Sequence, residues 1–374
     1  MAKYSWDIEE LIKKRNEVTE QYKRYEELKD LYEELIENYS KKFCDDEISE
    51  DCNIGKKIYN VQNLKQEWDE IPKESLSLIN GAMDAVYKFD SNFVKPYFSP
   101  LNISDEELVE ITRELFKKLP DEYFLRKFDE FTDPNKHLLH IRNYKTIPTD
   151  ELGLTYTDPE LHTSYGLVSR HKSIQDIITL GHEIFHMIVR ESEEPLFWDT
   201  NKPIFTETEG FFANLLFSDM LRYKGYKASE FDRFDRKDLV DNIDTIRTSF
   251  IINNAFNLIE ENGNINFRKL SPILRKKKIA MPVNKTNFAG LFDEDLIIYI
   301  NHAISYLTAL DLFELYKKDP EKTLYTVKTI PLLNGDNPQK DLENIGATFY
   351  EDGYINLENH CKKLLKTKTT SNKK

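Results

Sequence analysis

The chain has 374 residues, of which 40% are hydrophobic, so it can bury a substantial core as one large domain or two of ordinary size. A net charge of −14 opposes binding to a phosphate backbone, which excludes nucleic acid as an expected partner. No apolar run approaches the roughly 20 residues of a membrane helix, so we expect no membrane association.

The N-terminal residues and the cysteines predict a cytoplasmic protein. The chain turns acidic within its first ten residues and shows no continuous apolar segment of a signal peptide. The three cysteines, Cys44, Cys52 and Cys361, are odd in number and have no CxxC spacing. Free thiols in a reducing compartment are therefore expected.

An apolar side chain recurs at every seventh position near the start of the chain. The series consists of Leu11, Val18, Tyr25, Tyr32 and Tyr39, with Leu28 and Leu35 three positions after two of its members. This spacing predicts a long amphipathic helix over residues 1–40. Tyrosine is unusual at the seam of a dimeric coiled coil, so a partner within the chain is favoured, and residues 58–93 are the candidate. We predict a helical hairpin over residues 1–100, a loop at 45–55 and a monomeric protein.

A second domain, residues 101–366, is predicted to contain mainly helices and a small sheet. Ser104 and Glu107 form the S-x-x-E pattern of a capping box, which predicts a helix continuing to Leu119. Residues 152–169 have the alternating pattern of one or two short strands. Ser173 and Asp176 then begin a largely apolar helix that ends near Arg190.

The remainder of the second domain is predicted to be helical. A proline-containing loop at 192–203 precedes predicted helices at 207–223, 237–262, 289–318 and 339–366, and a disordered tail follows at 367–374. The basic run at 275–278 is interpreted as a solvated helix face or loop. The fold class expected is mainly α, with two lobes and a small sheet beside the helix that begins at Ser173.

Residues 182–186 of that helix read His-Glu-Ile-Phe-His. His182 and His186 lie one turn apart on one face, where both imidazoles can bind a single zinc ion at about 2.0–2.1 Å. Glu183 lies about 100° around the helix from His182 and can accept a proton from water without binding the metal. The pattern predicts one Zn²⁺ per chain and a hydrolase with Glu183 as general base. A chance occurrence of the motif in a buried helix is the alternative.

A third zinc ligand is expected, because a catalytic zinc usually has three protein ligands and a water. No histidine follows in the H-x-x-G-x-x-H spacing, which leaves downstream acids: Glu191, Glu193, Glu194, Glu207 and Glu209. The first three are too close in sequence to return from a separate helix. Glu207 opens an apolar helix after the proline-containing loop and is the predicted ligand, with Glu209 as the alternative.

Three segments resemble the oligoendopeptidase F and thimet oligopeptidase family of zinc metallopeptidases. SRHKSIQDIITLGHE at 169–183 resembles the approach to its zinc helix, and FTE at 205–207 resembles its third-ligand segment. YINHAISY at 299–306 looks like its C-terminal substrate helix, and NIGA at 344–347 like the closing helix after it.

The resemblance covers residues 150–360 and implies a two-lobed, zincin-type endopeptidase whose channel admits short peptides and excludes folded proteins. It also implies that Tyr and His side chains of the late helix stabilise the oxyanion above the metal. Tyr299, His302 and Tyr306 share a helical face at spacings of three and four. Among them His302 and Tyr299 are the first choices, and Tyr306 completes the set.

The chain departs from the pattern of this family at several positions. Phe185 stands where the family usually has glycine before the second zinc histidine, so the surface of the helix must pack differently there. Gly210 stands where a serine usually follows the ligand glutamate, and the chain is shorter on its N-terminal side. A different class of function, a helical interaction scaffold that retains a zinc site, is the alternative, although a scaffold would not need Glu183.

Overall fold

The structure of the chain is a computed structural model that describes most of the second half of the sequence and parts of the first. The described residues are 71, 73–89, 100–143, 152–158, 163–191, 205, 207–226, 228–259, 265–279, 296–330, 340, 343 and 354–364. The heptad helix of residues 1–40, the loops at 45–55 and 192–203 and the tail at 367–374 lie outside the described residues, so those predictions stay predictions.

Helices dominate the described residues and a small sheet accompanies them, which confirms the predicted fold class. The helices are α1 Lys73–Val86, α2 Asp105–Phe116, α3 Glu122–Phe131, α4 Gln175–Glu191, α5 Thr208–Tyr223, α6 Ala228–Phe256, α7 Phe267–Lys276, α8 Leu296–Tyr316 and α9 Pro320–Thr329, followed by helical residues 354–364. The strands are β1 Leu139–Asn143, β2 Gly153–Asp158 and β3 Thr163–Arg170. Within these ranges, every helix is too short or too polar to cross a bilayer.

The contacts divide the chain into two compact units. One unit contains Ser99–Pro195, with α2, α3, α4 and the three strands. The other contains the described residues of Ile54–Phe98 and Leu196–Lys374, with α1, α5 to α9 and residues 354–364. The domain boundaries predicted at 1–100, 101–366 and 367–374 stay a prediction.

The sheet of the first unit has the strand order β1-β3-β2. The central strand β3 runs parallel to β1 and antiparallel to β2, and its side chains are buried from Ser164 to Arg170. Helix α4 packs against β3 and β2. The sequence predicted β2 and β3 but not β1, whose five residues include the polar His140, Arg142 and Asn143.

Polar contacts fix the junction between β3 and α4. The buried Arg170 donates through Nε to Oδ2 of the buried Asp176 at 3.0 Å, and the backbone N–H of His171 donates to Oδ1 of Asp176 at 2.9 Å. The hydroxyl of Ser173 accepts from the N–H of Gln175 at 3.3 Å. Because Asp176 binds both the strand end and the helix start, the motif helix leaves the sheet in a fixed direction.

The opposite side of α4 packs on aromatic side chains from α2 and α3. Phe185 is fully buried, and its ring centroid lies 5.6 Å from that of Phe116 and 5.0 Å from that of Phe124. Helix α2 begins with the predicted capping box, in which the Ser104 hydroxyl and the Glu107 carboxylate each accept a backbone N–H. The sequence did not predict α3, which adds Phe128 to this cluster, 4.7 Å from Phe116.

In the described part of the second unit, helices form the core. Helix α8 packs against α5, α6, α1 and α9. Helix α6 begins at Ala228, earlier than the predicted 237, and α7 and α9 were not predicted. The basic run ends α7, where Lys277 forms an ion pair with Asp84 and its ammonium lies 5.1 Å from the ring centre of Tyr87.

Candidate active site

The two histidines of the motif direct the same ring nitrogen at each other. The Nε2 atoms of His182 and His186 are 3.0 Å apart, and His186 is buried with 3% of its surface exposed. Two nitrogens that bind one tetrahedral zinc at the usual distance are about 3.3 Å apart. The pair therefore already has nearly the separation that a shared metal ion requires.

A carboxylate completes a candidate metal-binding group with these imidazoles. Among the residues that the structure describes, His182, His186 and Glu207 are the group that could hold a metal ion. Two imidazole nitrogens and one carboxylate oxygen are a donor set typical of a catalytic zinc site. The residues that the sequence selected as ligands thus fit a zinc ion in the chemistry of their donor atoms.

Arg190 lies one turn beyond His186 and contacts the other side of its ring. A terminal nitrogen of the guanidinium is 3.2 Å from Nδ1 of His186, and the other donates to the carbonyl oxygen of Thr155 at 3.4 Å. Because a guanidinium can only donate, this contact favours the tautomer with a hydrogen on Nε2. Binding of a cation at Nε2 therefore requires Arg190 to release Nδ1.

Strand β2 holds Glu183 in place. Glu183 is only 5% exposed, and the hydroxyl of Thr155 donates to its Oε2 at 2.7 Å. A Cβ atom added to Gly153 would overlap Oε1, Cδ and Cγ of Glu183. Sequence reasoning missed both β2 residues, because no local pattern links a strand position to a helix residue nearly thirty positions later.

Glu207 immediately precedes α5 and contacts α8 through its backbone. Its side chain makes no capping hydrogen bond to α5, and its backbone N–H donates to the hydroxyl of Ser305 at 3.3 Å. The alternative ligand Glu209 lies in the first turn of α5 with 1% of its surface exposed. The metal-binding group contains Glu207 and not Glu209.

The three predicted substrate-helix residues lie on α8 and differ in exposure. Tyr299 and His302 are partly exposed, whereas Tyr306 is fully buried. The ring of Phe211, on α5, packs edge-on against His302 at 5.9 Å and Tyr306 at 5.5 Å. Burial raises the pKa of Tyr306 well above its ordinary value. Tyr299 and His302 are thus better placed than Tyr306 to meet a ligand, and the role of all three stays a prediction.

Sequence comparison and structural comparison give different outcomes. No family model matches the chain, and no curated protein sequence matches it. Solved structures do match. A candidate oligoendopeptidase F from Bacillus anthracis has 14% identity and a TM-score of 0.52, over 91% of this chain and 64% of that one.

Two further solved structures give similar values. PZ peptidase A with an inhibitor has 12% identity and a TM-score of 0.51, over 95% of this chain and 71% of that one. A candidate peptidase from Chlamydophila abortus has 12% identity and a TM-score of 0.53, over 96% of this chain and 63% of that one. These likenesses show a shared fold, and the chain spans under two-thirds of the length of the first and third structures.

Proposed function

We propose that this chain is a zinc-dependent endopeptidase of the oligoendopeptidase F type that hydrolyses short peptides. The observation that carries the proposal is the group formed by His182, His186 and Glu207, with the buried Glu183 beside it. The fold shared with several structures described as peptidases supports the same class of reaction. We assign the three grouped residues to the metal and Glu183 to proton transfer.

When bound, Zn²⁺ would supply a Lewis acid that polarises a water molecule and a substrate carbonyl. Glu183 removes a proton from the water molecule while the water oxygen forms a bond to the carbonyl carbon. Glu183 then delivers that proton to the leaving nitrogen as the C–N bond breaks. The Thr155 hydroxyl holds Glu183 in position for both transfers. His302 and Tyr299 donate hydrogen bonds to the oxyanion that forms.

The first experiment measures metal content and peptide cleavage in the full chain. We expect about one zinc per chain and cleavage of internally quenched peptides. Glu183→Gln should keep its zinc and lose activity by about 10²–10⁴-fold. Glu191→Gln is the matched control, because Glu191 lies on the same helix but pairs with Lys127. Full activity of Glu183→Gln would rule out the proposed general base.

A second pair of variants separates the two candidate ligands. Glu207→Gln should lower zinc content and activity together, whereas Glu209→Gln should leave zinc bound. The reverse result would assign the metal to Glu209. A zinc-loaded protein that cleaves no peptide in a diverse library, and forms a stable dimer, would favour the scaffold function instead. The Thr155 contact argues against that alternative, because a scaffold has no need to orient Glu183.

A further inference from the structure

A cavity of about 150 Å³ lies within the second unit. Its walls come from α5, α8 and the helical residues 354–364, with Asp235 contributed by α6. None of the residues assigned to zinc, to proton transfer or to the oxyanion lines it. One water requires roughly 10–15 Å³ of such space, so the cavity admits a ligand of on the order of ten non-hydrogen atoms.

One charged group of each sign lines this cavity without an ion-pair partner. Arg222 is held by Asp235 and Asp232, and Lys317 is paired with Glu314. By contrast, Lys363 and Asp219 form no salt bridge or hydrogen bond among the residues that the structure describes. The cavity therefore offers one ammonium and one carboxylate to a ligand.

The imidazole of His360 also lines the cavity. Nε2 of His360 is inaccessible to solvent and has no hydrogen-bond partner in the described part of the chain. Burial, and then the positive charges of Lys363, Lys317 and Arg222, lower the pKa of His360 to about 3. The ring of His360 therefore contributes an uncharged part of the cavity wall.

The remaining surface of the cavity includes three apolar side chains, Leu215, Leu310 and Phe313. We propose that this cavity, which we call the α5–α8 cavity, binds a small zwitterion with an apolar side chain, namely a free α-amino acid or a dipeptide. Lys363 binds its carboxylate and Asp219 its ammonium, while the apolar wall receives its side chain. This proposal does not depend on the proposed peptidase function.

Calorimetric titration of the full chain with L-leucine tests the proposal. The matched probes are 4-methylpentanoate, which lacks the ammonium, and 3-methylbutylamine, which lacks the carboxylate. We expect L-leucine to bind at least tenfold more tightly than either. The dipeptide Gly-Leu distinguishes the two sources of the zwitterion: whichever of leucine and Gly-Leu binds more tightly is the better model of the occupant. Absence of binding by both at millimolar concentration would overturn the proposal.

Charge-removing variants locate the binding. Lys363→Gln and Asp219→Asn should each weaken L-leucine binding at least tenfold. Lys362→Gln is the matched control, because Lys362 is the adjacent lysine and is paired with Glu358 at 2.6 Å, outside the cavity. His182→Ala should bind L-leucine normally even if it loses zinc, which separates this site from the peptidase site. Unchanged binding in Lys363→Gln, or loss only in His182→Ala, would refute the assignment.

Discussion

Glu183 is constrained from two directions by the neighbouring strand. Thr155 supplies a hydrogen bond to one carboxylate oxygen, and the missing side chain of Gly153 leaves room for the other. A general base must lie within hydrogen-bond reach of the proton that it removes, so a small displacement affects rate more than stability. The strand therefore contributes to the proposed chemistry without supplying a reacting group.

Gly153→Ala tests this steric constraint. The added Cβ would overlap the carboxylate, which is the movable end of a side chain, so Glu183 should shift while the fold remains. We expect cleavage to fall about 10²-fold with zinc content unchanged. Gly166→Ala is the control on the adjacent strand, because its Cβ would meet Sδ of Met187 at 2.6 Å and not Glu183. Equal losses of activity in the two variants would contradict the proposed role.

The residues of the site divide according to whether a local pattern encodes them. The motif spacing predicted His182, Glu183 and His186, and the position of Glu207 at a helix start predicted the third member of the group. Gly153 and Thr155 could not be predicted, because their contact with Glu183 depends on how β2 pairs with β3 and how α4 packs on both. Such contacts depend on tertiary packing, which has no signature in local sequence.

At the scale of elements, packing explains why a phenylalanine is accommodated at position 185. A helix that carries phenylalanine there needs an aromatic neighbourhood, and α2 and α3 supply Phe116 and Phe124. The side chain points into this core while His182 and His186 lie on another part of the helix surface. Phe185 thus anchors α4 in the core and leaves the histidine pair intact.

Phe185→Ala should reduce the free energy of unfolding by about 3–5 kcal/mol, because it leaves a cavity in a fully buried aromatic cluster. Phe185→Gly should cost about 1 kcal/mol more, since glycine is a poor helix former. Denaturant unfolding measures both changes. Tyr325→Ala is the control, because that ring is 66% exposed and its removal should change stability by under about 0.5 kcal/mol. A loss below about 1 kcal/mol for Phe185→Ala would contradict the packing account.

Elements with explicit end signals were predictable, and those without them were not. The capping box fixed the start of α2, and Ser173 with Asp176 marked the approach to α4. The start of α6 was predicted too late because residues 228–236 are rich in charged side chains. The side chains of Phe231 and Phe234 are nevertheless buried there, and they hold this part of the helix against the core. Strand β1 was missed because it contains the polar residues His140 and Arg142, which are nevertheless buried, so its sequence lacks the apolar pattern of a strand.

At the scale of the whole molecule, buried titratable groups connect the fold to pH. A chain with a net charge of −14 nevertheless gathers Arg222, Lys317 and Lys363 around His360 in the α5–α8 cavity. The imidazole is therefore neutral in the folded protein far below the pH at which a free histidine becomes charged. When the chain unfolds, the imidazole of His360 can bind a proton, so lowering the pH favours the unfolded state of the second unit.

The sign of that dependence follows from the two pKa values of His360. Burial lowers the folded value to about 3, whereas the unfolded value is about 6.5. Between these limits the unfolded state binds the extra proton, so the stabilisation is fully present above pH 6.5 and is lost progressively as the pH falls toward 3. Between pH 6.5 and pH 5 this group alone should remove roughly 2 kcal/mol from the free energy of unfolding.

His360→Gln removes this titration and should flatten the dependence of stability on pH in that window. Denaturant unfolding of the two proteins at several pH values between 5 and 7 measures the difference in slope. Most carboxylates stay ionised over this range, so their contribution is common to both proteins and cancels. Parallel curves for the two proteins would mean that the imidazole of His360 accepts a proton as readily when folded as when unfolded. That outcome would also mean that the imidazole in the wall of the α5–α8 cavity becomes charged in the same pH range as a free histidine.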